Sequence, residues 1–106
     1  MAEKDIIQGM KRLARQILPD GAEAFLFGSR ARGDARSDSD WDILILIDGH
    51  RATDNDFKSY AYPFVDYGWT VGEQINPLIY TYADWQKRSI SPFYKNVQSE
   101  GIRLCH

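Results

Sequence analysis

Two apolar runs, Ala24 to Phe27 and Ile43 to Ile47, bracket a stretch that holds almost no apolar side chain. Short apolar runs bounded by turn residues read as buried strands. The polar segment between them is therefore a connection within one sheet, and this arrangement constrains the fold more than any other part of the chain. The first run stops at Gly28-Ser29. The second is led by Asp40 and Asp42, acids at i and i+2 whose side chains share one face of a strand. Two carboxylates on one face at the mouth of a sheet form a cation-binding arrangement.

A chain of 106 residues suits one domain, residues 1–106, with a real core and no room for a second. A net charge of −2 gives no global electrostatic case for nucleic-acid or membrane binding. No apolar run approaches the length of a membrane span, and Met-Ala-Glu-Lys-Asp lacks the apolar segment of a signal peptide. The single cysteine, Cys105, has no internal disulfide partner, so the cytoplasm is the expected compartment. With only His50 and His106, a His-rich zinc site or a Ser-His-Asp triad is poorly supported.

Apolar residues from Ile6 to Leu18 recur at three- and four-residue spacing, which predicts an amphipathic helix over 3–18, stopped by Pro19-Asp20-Gly21. A strand over 22–27 follows, then one helical turn at Arg30-Ala31-Arg32 ended by Gly33, a loop over 34–39, and a strand over 40–47. Thr53 or Asp54 caps a second helix, with Pro63 marking a kink or a late start, and Gly68 as its punctuation. A third strand is expected from Thr70 to Ile75, continuing to Tyr80 as an edge or bulge because of Pro77. Residues 81–88 and 92–99 read as short helices, the second capped by Ser91, and 102–104 as a last strand. The expected architecture is mixed α/β: a small twisted sheet with helices packed mainly on one face. Most of the aromatics belong in the core, Trp41 among them, while Trp85 and some tyrosines are candidates for a partner surface.

A strand ending at Gly-Ser and turning toward a helix offers backbone N–H groups to an anion. Gly28 lets a phosphate approach the backbone, and Ser29 adds a hydroxyl donor. Arg30 and Arg32 add positive charge for phosphate, or else pair with Asp34, Asp38 or Glu23. Magnesium is commonly held by one or two carboxylates plus substrate phosphates. The turn and the aspartates together can therefore hold a nucleoside triphosphate through its oxygens and its metals, which is nucleotidyl-transfer chemistry.

Gly28-Ser29, ten intervening residues, then Asp40-Trp41-Asp42 and an aliphatic run resembles the signature of the nucleotidyltransferase superfamily that includes DNA polymerase β. The fuller string Gly-Ser-Arg-Ala-Arg-Gly…Ser-Asp-Trp-Asp-Ile-Leu-Ile is similar to the minimal nucleotidyltransferases, small bacterial proteins that often act with a HEPN-domain partner. The resemblance implies the nucleotidyltransferase fold, triphosphate binding by Gly28 and Ser29, and metal binding by Asp40 and Asp42. It also implies a third carboxylate from the next strand, as metal ligand and base. The sequence offers Glu73 and then Gln74 there; alignment on Ile75-Asn76-Pro77 puts Gln74 in the place, and only Glu73 is an acid. A register slip of one residue exchanges the two.

The implied activity is magnesium-dependent transfer of a nucleoside monophosphate, AMP from ATP or its equivalent from another nucleoside triphosphate, to an acceptor hydroxyl. Asp40, Asp42 and Glu73 are the catalytic and metal candidates; Gly28, Ser29, Arg30 and Arg32 are the nucleotide-binding ones. The implied setting is an antitoxin-like partner of a HEPN toxin ribonuclease. A non-catalytic module of the same fold, acting by protein contacts, is the alternative. An adenylyltransferase for small molecules such as aminoglycosides ranks below both.

Overall fold

A computed structural model describes residues 2–105; His106 lies outside them. The chain runs α1 (Glu3–Ile17), β1 (Glu23–Phe27), α2 (Ser29–Arg32), β2 (Trp41–Ile47), α3 (Asp54–Asp56), a π-helical turn (Phe57–Ala61), α4 (Tyr62–Thr70), β3 (Ile75–Thr81), α5 (Tyr82–Gln86), α6 (Pro92–Glu100) and β4 (Ile102–Cys105). The four strands form one sheet in the order β3-β2-β1-β4. β1 pairs antiparallel with β2 and with β4, and β2 pairs parallel with β3, so the sheet is mixed as expected. Among the described residues, no helix is long and apolar enough to cross a membrane.

Strand parity sorts the sheet into two faces. Ala24 and Leu26 of β1 join Trp41, Ile43, Ile45 and Ile47 of β2 in the larger core, closed by Ile6, Met10 and Ala14 of α1 and Phe64 of α4. The opposite face carries Leu44 and Leu46 with Trp85 and Val97, flanked by Phe25, Phe27, Tyr80, Phe93 and Tyr94. Here Trp85 stacks on Tyr80 and meets Phe93 edge-on at 5.4 Å. Trp85 is 2% exposed. It is therefore a core residue of the second face, and the surface role considered for it from sequence is corrected. Trp41, expected in the core, is fully buried.

Pro63 explains why the second helix is not continuous. Its ring removes one N–H and crowds the carbonyl four residues back. The chain widens into the π-helical turn just before Pro63, after a capping box in which Thr53 Oγ1 accepts from Asp56 N at 3.1 Å.

The third strand starts later than the sequence reading had it. Residues 70–74 lie outside the strand: α4 runs to Thr70 and closes in a Schellman motif. Glu73 N donates to Gly68 O at 2.8 Å, Gly72 N donates to Trp69 O at 3.3 Å, and Gly72 has φ +76°. Gly72 is thus the stop signal, because its left-handed backbone suits glycine. Gly68, read as punctuation, lies inside the helix and is packed against the backbone of Glu73 and the side chain of Ile75.

β3 is an edge strand, as Pro77 requires. Trp41 N donates to Gln74 O at 2.9 Å, and Trp41 stands opposite Ile75. In a parallel ladder this register turns the backbone groups of Asn76, Leu78 and Tyr80 toward β2 and those of Ile75, Pro77 and Ile79 toward the open edge. Pro77 therefore lacks its N–H on the side where no strand needs it.

A Cβ on Gly68 would lie 2.8 Å from Glu73 O, a backbone atom with little freedom to move. Gly68→Ala is expected to cost about 1–3 kcal/mol, a fall of roughly 5–15 °C in melting temperature. Gly72→Ala is expected to cost less, about 1 kcal/mol. Thermal denaturation followed by circular dichroism ranks the two, and the reverse order would contradict this account of the turn.

Candidate active site

The antiparallel pairing of β1 with β2 sets Phe27 opposite Asp42, so Gly28, the next residue, comes up against the Asp42 carboxylate. A Cβ on Gly28 would lie 2.7 Å from Asp42 Oδ2, and Gly28 itself has φ 78° and ψ −159°. Glycine is thus required twice over, by its neighbour and by its backbone. Ser29 opens α2, whose first internal bonds run from Ala31 N and Arg32 N to Gly28 O, both at 3.0 Å. Gly33 ends α2, as the sequence suggests.

Asp40 is exposed, just before β2, and Asp42 is half-buried on the face of Leu44 and Leu46. Burial raises the Asp42 carboxyl above its ordinary value and the Asp40 charge adds to this, while a hydrogen bond from Asn76 opposes them. Asn76 stands opposite Asp42 in the β2–β3 ladder, and its Nδ2 donates to Asp40 Oδ2 at 3.0 Å. Gln74 Nε2 in turn donates to Asn76 Oδ1 at 3.3 Å. The β3 group beside the aspartates is therefore an amide, Asn76, backed by a second amide, Gln74.

Glu73 does not join them. As the second residue past the α4 cap it lies in the turn, outside β3, and its carboxylate is directed to the other side of the sheet. Glu73 Oε1 accepts from Trp41 Nε1 at 2.8 Å and from Arg30 Nη2 at 3.4 Å. The metal and catalytic role read for Glu73 is corrected accordingly. Among the described residues, no group of three or more His, Cys, Asp or Glu side chains could hold a metal ion. Sequence inspection missed Asn76 as a neighbour of the aspartates. Part of the signal lay in Gly72: taken as a helix stop, it moves the start of β3 past Glu73 and puts Asn76 near the head of that strand.

Arg30 is also corrected. Its side chain is buried at 4% exposure and lies over the Trp41 ring, 4.4 Å from the centroid. Its donors meet Ser39 O at 2.8 Å, Ser37 O at 3.3 Å, Glu3 Oε2 at 3.4 Å and Glu73. A buried guanidinium needs such a set, since an unpaired buried charge is prohibitively costly. These donors are committed to protein acceptors. Arg32 is on the surface: Nε donates to Asp34 Oδ2 at 3.2 Å, and Nη1 lies 3.5 Å from Glu100 Oε2. The Asp34 bond and charge raise its pKa further. Exposed pairs of this kind are weak and exchange readily.

The raised value of Asp42 has a sign for stability. Its folded pKa lies above the unfolded one, so charging it penalises the fold at pH values above the folded pKa and not below both. In metal-free buffer at pH 7, Asp42→Asn is expected to melt higher than wild type. That gain should disappear near pH of about 3, where the carboxyl is protonated in both states. A lower melting temperature for the variant at pH 7 would contradict the assignment.

Among curated proteins, none matches the chain closely enough to serve as a relative. Solved structures that share its fold include two of toxin-antitoxin proteins. A crystal structure of a toxin-antitoxin with AMP-PNP superposes with a TM-score of 0.60 at 22% identity, over 98% of this chain and 73% of the other. A crystal structure of a mutant of the toxin-antitoxin MntA-HpeT gives 0.59 at 20% identity, with the same coverage. The sequence model described as "nucleotidyltransferase domain" matches residues 4–102, nearly the whole chain. The turn, the paired aspartates and the mixed sheet thus sit in a family frame, and the chain belongs to the nucleotidyltransferase domain family.

Proposed function

We propose that this protein transfers a nucleoside monophosphate, AMP from ATP, to an acceptor hydroxyl, with magnesium held by Asp40 and Asp42. The observation that carries this reading is the seating of Asp42 against Gly28. It brings an anion-accepting turn and a carboxylate pair to one rim of the sheet. The donor set is hard oxygen, and the raised Asp42 carboxyl marks a charge cost that a dication offsets. Two carboxylates completed by substrate phosphates suit magnesium. When bound, the ion neutralises charge on the triphosphate and on the pyrophosphate that leaves.

The chain's own residues divide the remaining work. Gly28 admits the phosphates to the backbone, the Ser29 hydroxyl donates to a phosphate oxygen, and Arg32, the last residue of α2, supplies an exposed cation. The Asn76 amide holds Asp40 beside Asp42. The partner we propose is a HEPN-domain ribonuclease, silenced by binding or by modification of one of its tyrosines. The toxin-antitoxin neighbours support a protein partner, and one of them carries glutamate for two aspartates spaced as Asp40 and Asp42 are. Trp69, 69% exposed, and Tyr62, 49% exposed, lie seven residues apart on α4 and offer apolar area to a partner. The proposed setting is the cytoplasm.

A second reading is supported by Asn76 and Gln74: with amides beside the aspartates, the protein is a nucleotide-responsive module that acts by binding and does not turn over. The two readings separate on the double variant Asp40→Asn/Asp42→Asn. Under the first, transfer present in wild type is lost, and a partner silenced by modification is released; under the second, wild type shows no transfer and the partner stays silenced by the variant.

Calorimetric titration of ATP in magnesium is the direct test of the site. Asp42→Asn is expected to weaken binding at least about tenfold, and Ser29→Ala by roughly tenfold to a hundredfold, the loss of one hydrogen bond to a charged group. Equal affinity in wild type and Asp42→Asn would overturn the site. Asn76→Asp tests the missing acid: added beside the pair, a third carboxylate is expected to raise magnesium affinity by about tenfold, read in the same titration without nucleotide. Unchanged or weaker affinity would mean that Asn76 does not face the ion.

A further inference from the structure

Asp40 lies outside β2 and is exposed, yet its carboxylate has to stay beside that of Asp42 despite like charge. Both of its neighbours in sequence are gripped from the far side of the sheet. Before it, Ser39 O accepts from Arg30 Nη2 at 2.8 Å and from Arg30 Nε at 3.3 Å. After it, Trp41 is fully buried, donates its indole N–H to Glu73 Oε1 at 2.8 Å, and packs its ring under the Arg30 guanidinium. Glu73 takes both Arg30 and Trp41 on the same oxygen, and Glu3 of α1 takes the opposite side of Arg30. A charge-assisted bond in a largely dry setting is stronger and shorter than a neutral one. Asp40 is therefore the middle of a peptide pinned at both ends, and its carboxylate accepts from Asn76 Nδ2 at 3.0 Å.

We infer that Glu73 is a positioning residue: with Arg30 it clamps Ser39 and Trp41, and so fixes Asp40 against Asp42 for a divalent cation. The inference rests on the reading of the two aspartates as a cation site. It separates cleanly from a role for Glu73 as a ligand, because the clamp needs only an oxygen that accepts the indole N–H. A glutamine supplies that oxygen, whereas an alanine does not.

The probe is Mn2+ alone, titrated into the full chain and followed by electron paramagnetic resonance. Glu73→Ala and Trp41→Phe are each expected to weaken Mn2+ binding by about fivefold to tenfold with the number of ions unchanged, and Glu73→Gln to stay within about twofold of wild type. The double variant Trp41→Phe/Glu73→Ala is expected to be no weaker than the weaker single one, since both break the same bond. A parallel readout needs no metal. Amide hydrogen exchange at Trp41, measured against Leu26 to remove global opening, should speed up in Glu73→Ala and Trp41→Phe and not in Glu73→Gln. Loss of a bound ion in Glu73→Gln would overturn the inference in favour of a ligand. So would wild-type exchange and wild-type Mn2+ affinity in Glu73→Ala. If instead Asp42→Asn binds Mn2+ as wild type does, the cation site itself fails, and the exchange readout still decides the clamp.

Discussion

The alternation of side chains along β2 is the constraint on which the rest depends. Four residues of that strand, Trp41, Ile43, Ile45 and Ile47, enter the larger core, and their burial leaves Asp42, Leu44 and Leu46 to the opposite face. Burying an aliphatic side chain is worth about 1.5–3 kcal/mol, so a slip of one residue in register would forfeit several such terms at once. The position of a half-buried carboxylate is thus secured by hydrophobic packing on the far side of the sheet. The same register sets Phe27 opposite Asp42 and so delivers Gly28 to the carboxylate.

Much of this was legible in the sequence, and the parts that were share a cause. The strands at 23–27 and 41–47, the single turn closed by Gly33 and the cap at Ser91 all follow from signals within a few residues of one another. Local periodicity and capping chemistry act over that range. Pro77 was read correctly as an edge residue for the same reason, since its missing N–H is a property of one position.

What escaped depends on distance. Glu73 is singled out in the sequence as the one acid beside the third strand, although alignment on Ile75-Asn76-Pro77 favours Gln74, and a helix stop at Gly72 moves the strand onward and leaves Glu73 in the turn. Arg30 was read by its charge and its proximity to Gly28, which are indifferent to whether the side chain turns outward or beneath the loop. Its acceptors include Glu3 and Glu73, remote in sequence on either side, and no local pattern announces them. Asn76 was quoted as part of a string and not recognised as a contact of Asp40, because pairing across a parallel ladder is set by a crossover of many residues. The two acids and the glycine that faces them were found because one hairpin-like pairing joins them. The residues that hold them in place come from elsewhere in the chain.

Pro77 carries a consequence for how this domain meets other molecules. An exposed strand edge is ordinarily a template: a second chain can lie along it and extend the sheet through main-chain bonds that take little account of sequence. On the β3 side the row of outward backbone donors is interrupted at its middle, so a strand laid there would leave one carbonyl unanswered. Recognition on that flank is thereby shifted from backbone to side chains, and side chains discriminate between partners where a bare edge does not.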